Sequence, residues 1–302
     1  GKQGTLPPRS RGDMVRQHPD MKTPIPVLNL AVATLVATLF SGGAIAQTTS
    51  PIQSPAPPFG LPLAGQVMVG GSDTASANFQ ANVLPSINTM LNSQLSEYVA
   101  INDTSFLLDP NKLFLKNASD VRVYFVGEGA GYQNTLGYNT GGGGVTTGDP
   151  QIIFPNASSR VTSYNPGASA VARTANEPLL PGDFVDLGTM AAGSKLDFFL
   201  IANGAQNGRT VFSTDRSVNP DGINHVVTFA AITSTHLIIG FEDLLGGGDR
   251  DFNDLLFAVD IGSVNIAALT ASPEPALWLT LGCFLGASLW LQRRRSQSGP
   301  VA

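Results

Sequence analysis

A series of short apolar runs between residues 105 and 262 constrains the fold more than any other feature of the sequence. Glycine, proline, asparagine and aspartate interrupt these runs every few residues, which is the pattern of β-strands joined by turns. Because no helical pattern lies between the runs, we expect the strands to pair as antiparallel neighbours. The sequence therefore predicts an all-β domain, an antiparallel β-sandwich that is jelly-roll-like, over residues 105–262.

The predicted strands are 112–116, 121–126, 151–154, 184–187, 195–202, 210–213, 225–231, 236–241 and 255–260. Residues 127–148 include four consecutive glycines, 141–144, and predict a long exposed loop.

One stretch before the sandwich has helical spacing. Ile87, Leu91 and Leu95 recur every four residues, which places them on one face of a helix. Residues 78–104 are therefore predicted to form a short helical lead-in. The chain before it, residues 47–77, is rich in proline and serine and predicts a linker. A second linker is predicted for the residues after the sandwich, at 263–275.

The composition is compatible with a hydrophobic core and unfavourable for nucleic-acid binding. The chain has 302 residues, of which 42% are hydrophobic and 13% are charged. The chain has 22 acids and 17 bases. The first 46 residues hold two of the acids and five of the bases, and residues 293–295 are three arginines. The remaining chain, residues 47–292, therefore holds 20 acids and 9 bases. Nucleic-acid binding needs a basic surface, so we expect no nucleic-acid partner. The single cysteine, Cys283, excludes a disulfide within these residues.

Residues 21–46 have the three parts of a secretory signal peptide. A basic start precedes an apolar stretch, 27–40, that is short for a membrane span. A cleavage motif of small residues follows at Ala44 and Ala46. We therefore prefer a cleaved signal to a membrane anchor or a buried helix, and expect signal peptidase as a partner. Residues 1–20 are expected to be an upstream segment without a structural role.

The end of the chain has a membrane pattern. Residues 276–292 carry no charge, approach the length that spans a bilayer, and have Trp278 and Trp290 near their two ends. They predict a C-terminal transmembrane helix, and residues 293–302 predict a basic cytoplasmic tail, since arginine favours the cytoplasmic side. A buried core helix is the alternative, but such a helix seldom ends in three consecutive arginines. These are Arg293, Arg294 and Arg295.

A Pro-Glu-Pro triplet, a short transmembrane helix and a basic end follow one another here. The triplet is Pro273, Glu274 and Pro275. This order resembles the PEP-CTERM sorting signal of Gram-negative bacteria, with Ser272 where that family more often has valine. The resemblance implies that an exosortase recognises the tail, cleaves near the triplet and delivers the protein to the cell surface. In that family the system accompanies exopolysaccharide and biofilm production, which makes exopolysaccharide an expected partner.

The segment between the last two predicted strands concentrates negative charge, with Arg250 as its single cation. Its acidic and amide residues are Glu242, Asp243, Asp249, Asp251, Asn253 and Asp254. A solvated hairpin turn would need only one or two of them. A catalytic carboxylate pair is the second interpretation, without a supporting signature in the chain. The third is a calcium site, since calcium takes roughly six to eight hard oxygen ligands.

The spacing of these residues favours a calcium loop between strands. Asp249, Asp251 and Asn253 offer oxygen atoms at alternating positions, and the adjacent glycines let backbone carbonyls turn towards an ion. An EF-hand needs glycine at its sixth position and glutamate at its twelfth, where this chain has Asp254 and Asp260. We therefore predict a β-type loop with Ca²⁺ as the cofactor.

Residues 240–257 resemble the signature of a secreted bacterial domain, domain-of-unknown-function family 4114. Further similar segments are 181–188, 196–204 and 219–225. The resemblance covers residues 105–262 and implies a β-rich extracellular module without established enzymatic activity, whose acidic motif binds calcium. It makes the six acidic and amide residues the candidate ligands and places Asp221 and Asn224 near them. His225 is expected to make a structural hydrogen bond, because imidazole is a poor calcium ligand.

Three classes of function follow from these features. We expect a non-enzymatic cell-surface or extracellular-matrix protein in which calcium stabilises the fold. Its C-terminal helix would anchor it in the inner membrane until exosortase processing. The alternative is a calcium-dependent carbohydrate-binding, adhesin-like module that stacks sugars on Tyr132, Tyr138 or Tyr164. A secreted hydrolase that works through the loop carboxylates is the third.

Overall fold

The structure is a computed structural model and describes residues 52–55, 57–95, 107–161, 171–230 and 234–271. The predicted signal peptide, sorting triplet, transmembrane helix and basic tail lie outside these residues. Within the described ranges, no helix is both long enough and apolar enough to cross a membrane.

Nine strands and three α-helices make up the regular structure of the described residues. The strands are β1 (Ser119–Gly127), β2 (Thr135–Asn139), β3 (Gln151–Phe154), β4 (Phe184–Met190), β5 (Asp197–Ile201), β6 (Val211–Ser213), β7 (Val226–Ala230), β8 (His236–Phe241) and β9 (Leu255–Asp260). The helices are α1 (Thr74–Asn78), α2 (Leu84–Gln94) and α3 (Ser263–Thr270), with a π-helical stretch, Phe79–Val83, between the first two. Short 3₁₀ turns lie at Pro58–Gly60, Pro110–Lys112, Gly204–Gln206 and Arg216–Val218.

The strands form two antiparallel sheets, with the orders β4-β1-β9-β8-β7 and β3-β2-β5-β6. The prediction of a mostly β fold with antiparallel sheets and a helical segment before them is confirmed. The order is not that of a jelly roll, however. Three consecutive strands, β7, β8 and β9, form a meander within one sheet, whereas consecutive strands of a jelly roll pass between its two sheets.

The two sheets pack face to face on one hydrophobic core. Val123 and Phe125 of β1 point into this core, whereas Tyr124 between them points to the other face of its sheet. Phe257 of β9 meets Phe198 of β5 across the core, with ring centroids 5.1 Å apart. Burial of such apolar side chains is the largest favourable term in folding.

The helical segment covers the outer face of the five-stranded sheet. Phe79 stacks on Tyr124 at a centroid distance of 3.9 Å, and Ile87 and Leu91 are buried against the same face. The predicted helix therefore exists, but it begins earlier than predicted, at α1, after the N-cap Asp73. Because both faces of the sheet are covered, β8 and β9 are continuous apolar runs without polar alternation.

The expectation of an exposed loop over residues 127–148 is wrong in its middle, where β2 lies. All five residues of β2 are buried, and the strand is paired on both sides, with β3 and β5. The glycine-rich stretch that predicted a loop includes Gly137, which lies within this strand. A Cβ at this position would stand 2.2 Å from the ring of Phe199, so the close packing of β2 on β5 requires glycine here.

The predicted strand 112–116 is also wrong. Leu113 and Leu115 are buried in the core, but only Phe114 makes a bridge, to Lys195. The alternation of apolar residues that suggests a strand here comes from an irregular segment that buries every second side chain.

The segments expected to be linkers contain residues that pack on the sandwich. Leu63 makes a bridge to Ile152, and Met68 makes one to Phe184. After β9, helix α3 places Ile266 in the core. Its Asn265 accepts hydrogen bonds from the backbone N–H groups of residues 116 and 117, at 3.0 and 2.9 Å.

Candidate metal centre

The acidic residues lie in the connection between β8 and β9, residues 242–254. These strands are paired from His236 with Asp260 up to Phe241 with Leu255, so both ends of the loop are fixed by the sheet. Between them the backbone coils tightly. Its positive φ angles are 84° at Gly246, 83° at Gly247, 48° at Gly248, 63° at Arg250 and 52° at Phe252.

Three carboxylates of this loop converge. Glu242, Asp249 and Asp251 each place a carboxylate oxygen within 4.8 Å of the other two. Glu242 and Asp251 are buried, and Asp249 is half-buried. Among the described residues Arg250, the single cation of the loop, forms no ion pair.

Glu242 is the most unusual member of the group because its side chain is fully buried, with 0% exposure. Its Oε1 accepts a hydrogen bond of 2.7 Å from the backbone N–H of Phe252. Its Oε2 has no hydrogen-bond partner within the described part of the chain. Burial, and then the nearby charges of Asp249 and Asp251, raise the pKa of Glu242 to about 7. A buried carboxylate oxygen without a partner is costly, and a cation would remove that cost.

Asn253 holds Asp251 in place. The backbone N–H of Asn253 donates to Oδ1 of Asp251 at 3.1 Å, and the Asn253 side-chain amide donates to Oδ2. The carbonyl of Asn253 in turn accepts from the backbone N–H of Gly129 at 2.9 Å. Asn253 therefore positions a carboxylate of the group, with its amide nitrogen directed at Asp251.

Asp243 and Asp254 form a second pair beside the three converging carboxylates. Oδ2 of Asp254 accepts from the backbone N–H of Asp243 at 2.8 Å, and Oδ2 of Asp243 accepts from the side chain of Asn134 at 2.8 Å. Burial is the first cause that raises the pKa of Asp254 to about 7, and it also raises the pKa of Asp243. Both carboxyls are therefore harder to ionise than exposed aspartates.

Of the two residues expected near the ligands, Asp221 supports the loop. Its Oδ2 accepts from the backbone N–H of Gly246 at 2.8 Å and lies 2.9 Å from Nε2 of His225. His225 is fully buried and stacks on Phe212 with ring centroids 3.9 Å apart. Asn224 is exposed.

The sequence did not point to two residues from the connection between β1 and β2. Asn134 contacts Asp243 as described. Burial raises the pKa of Glu128, and the nearby charge of Asp243 adds to this increase. Both residues lie more than 100 positions before the acidic loop. No local motif marks either of them, because their proximity arises only when β1 pairs with β9.

The two described tyrosines among those proposed to bind sugars differ in exposure. Tyr132 is 42% exposed, whereas Tyr138 lies on β2 and is buried. Tyr164 lies outside the described residues.

A family model described as Domain of unknown function (DUF4114) matches residues 190–262. The match includes the acidic loop and the similar segments 196–204 and 219–225. It begins after the segment 181–188, which also looked similar. No curated protein and no solved structure matches the chain.

The donor set suits a hard cation. Glu242, Asp249 and Asp251 supply carboxylate oxygens without nitrogen or sulphur, which is the ligand type that calcium prefers. The independent sign of a ligand is the buried Oε2 of Glu242, which has no hydrogen-bond partner within the described part of the protein.

Proposed function

We propose that residues 242–254 bind a calcium ion and that this ion stabilises the β-sandwich. Glu242, Asp249 and Asp251 would supply the carboxylate ligands. The observation that carries the proposal is the fully buried Glu242, whose Oε2 has no hydrogen-bond partner among the described residues and whose carboxylate lies beside two others. Burial of several carboxylates without compensation is unfavourable, and a divalent cation is a direct way to compensate it.

Calcium fits this loop better than magnesium. Magnesium requires near-ideal octahedral geometry and retains its waters, whereas calcium accepts irregular sets of oxygen ligands. The loop combines buried carboxylates with a backbone coiled by three successive glycines, which supports an irregular ligand set. Asp243, Asn253 and Asp254 would orient the ligands or share their charge.

The stabilising effect would act on the sheet itself. Glu242 directly follows β8, and Asp251 precedes β9 by a few residues, so an ion held by both ties the ends of two central strands together. Such a tie suits a chain whose only cysteine is Cys283. At a free calcium concentration a hundredfold above Kd, one site stabilises the folded state by about 2.7 kcal/mol.

We further propose that the domain is exported and acts as a non-enzymatic module at the cell surface or in the extracellular matrix. The support lies in the sequence: a signal peptide at residues 21–46, and a tail with the Pro-Glu-Pro triplet, an apolar stretch and three arginines. Exosortase and signal peptidase are the partners that these segments require. Cell fractionation tests this part: replacing the triplet 273–275 by alanines should retain the protein in the inner membrane.

The calcium proposal is tested by thermal unfolding of the full chain in calcium and in chelator. We expect a higher Tm in calcium, and a much smaller rise for Asp251→Asn. The matched control is Asp149→Asn, which removes an exposed carboxylate outside the acidic loop and should keep the full response. An equal loss of Tm for Asp251→Asn in calcium and in chelator would refute the proposal. Isothermal titration calorimetry would then give the number of ions bound.

A further inference from the structure

A surface cavity far in sequence from the acidic loop has the features of a second binding site. Its volume is about 350 Å³, and it lies between the turn Pro58–Gly60 and the turn that follows β5. The lining includes Phe59, Asn207 and Arg209. This combination of an aromatic ring, an amide and a guanidinium on an open cavity is typical of sites for polar ring-shaped ligands.

Phe59 adopts a backbone conformation that is unfavourable for a bulky residue. Its φ is 57° and its ψ is 7°, in a turn closed by a 2.9 Å hydrogen bond from the N–H of Gly60 to the carbonyl of Pro57. Turns with positive φ at this position normally have glycine or asparagine there. The next residue is glycine, so the chain places its aromatic residue at the strained position and its glycine beside it.

Phe59 lies outside the hydrophobic core, where the packing of a large side chain could offset such strain. The ring of Phe59 is 39% exposed and belongs to neither hydrophobic cluster of the described residues. Its notable contact is the guanidinium of Arg209, 4.9 Å from the ring centroid, and an exposed cation–π contact is weaker than the backbone strain. Strain that the fold does not offset is a reason to look for a ligand.

Arg209 and Asn207 both have groups available to a ligand. Arg209 is exposed and forms no ion pair with any described residue, so its planar guanidinium remains open to an anion. Asn207 has φ 67°, and the side-chain hydrogen bonds of the described residues do not involve its amide. Guanidinium groups bind carboxylates through two parallel hydrogen bonds.

We propose that this cavity binds a sugar unit that bears a carboxylate, of the uronic-acid class. The carboxylate pairs with Arg209, the sugar hydroxyls bond to the Asn207 amide, and the apolar C–H face of the sugar packs on the exposed part of Phe59. Pro57 and Pro58 extend the apolar rim. None of the residues that line the cavity belongs to the acidic loop, so we expect the sugar to bind without calcium.

The test is calorimetric titration of the full chain with tri-galacturonic acid. It is carried out at a temperature below the Tm of the protein, once in calcium and once in chelator. We expect binding in both conditions and at least tenfold weaker affinity for Arg209→Gln. The matched control is Arg216→Gln, which removes another exposed arginine without an ion pair among the described residues and should bind like the wild type. Neutral galactotriose should bind at least tenfold more weakly than the acidic sugar.

Phe59→Gly separates a binding role from a structural one. Glycine relieves the positive φ, so we expect a Tm equal to or above that of the wild type together with at least tenfold weaker binding. A lower Tm for Phe59→Gly would show that the ring stabilises the fold and would overturn the argument from strain. The proposal would likewise fail if tri-galacturonic acid did not bind, if galactotriose bound equally well, or if sulfate alone bound with the same affinity.

Discussion

The Cα of Gly248 lies so close to the carboxylate of Glu242 that a Cβ at position 248 would stand 2.1 Å from Oε2. Gly248 also has a φ of 48°, in the left-handed region. Glycine is therefore required here for two reasons: the backbone conformation, and the space that the buried carboxylate occupies. Gly248 therefore connects the backbone path of the loop with Glu242, the residue on which the proposed calcium site depends.

Gly248→Ala should displace the Glu242 carboxylate and weaken calcium binding. We expect a loss of about 1–2 kcal/mol from the positive φ and, in addition, a reduced rise of Tm in calcium. The control is Gly246→Ala, because Gly246 has a φ of 84° but a Cβ there would meet no described atom within 4 Å. That variant should lose similar stability and keep the calcium response. Equal calcium responses of the two variants would contradict the role assigned to Gly248.

The stability of the metal-free protein should fall as pH rises from about 5 to 8. The pKa values of Glu242 and Asp254 are about 7 in the folded chain, against 4.5 and 3.8 as ordinary values. Between these limits the folded state binds more protons than the unfolded state, so the free energy of unfolding decreases with increasing pH. Urea unfolding in chelator at several pH values measures this slope.

Glu242→Gln isolates the contribution of one of these carboxyls. The amide keeps the shape of the side chain and removes its charge, so the decline between pH 5 and 8 in chelator should be smaller than in the wild type. At pH 8 in chelator the variant should be more stable than the wild type, and calcium should stabilise it less. A variant with the same pH slope as the wild type would show that Glu242 does not have the raised pKa.

Asp183→Asn should destabilise the fold strongly. The Asp183 carboxylate is buried and accepts hydrogen bonds from Arg173, from the N–H of Leu180 at 2.7 Å and from the N–H of Gly70 at 2.9 Å. Removal of one partner of such a buried pair costs about 3–5 kcal/mol, because the other charge is left uncompensated. Chemical denaturation measures the loss.

The matched control for this change is Asp109→Asn. Asp109 pairs with Lys112 at 3.1 Å on the surface, where the lysine side chain is 79% exposed. An exposed pair contributes about 0–1 kcal/mol. A similar loss for both variants would show that burial of Asp183 does not set the cost.

Phe79→Ala should loosen the helical segment from the sheet. Phe79 is fully buried and stacks on Tyr124, so truncation removes about 3–5 kcal/mol. Limited proteolysis should then cut within residues 74–94 faster than in the wild type. Phe114→Ala is the control, since Phe114 is 38% exposed and its truncation should change neither stability nor proteolysis much.

Periodicity and turn residues predicted most of the strands but not all. β3, β8 and β9 have the bounds expected from their apolar runs, because continuous burial leaves a local record in the sequence. β2 was missed because it lies within a glycine-rich stretch. One of these glycines, Gly137, is required by the ring of Phe199 on the neighbouring strand, a contact that local sequence does not reveal. Local sequence likewise does not reveal that the segment 112–116, which buries alternate side chains, pairs through a single bridge instead of a strand.

The sequence by itself determined where the acidic loop lies, that it joins two buried strands, and that its side chains are hard oxygen donors. Only the tertiary structure decided that Glu242, Asp249 and Asp251 converge, that Asp243 and Asp254 pair beside them, and that Asn134 joins from another connection. The physical reason is that composition and spacing are local, whereas convergence and burial depend on strand pairing and on the path of the loop. That path includes positive φ angles at Arg250 and Phe252, which neither residue type predicts.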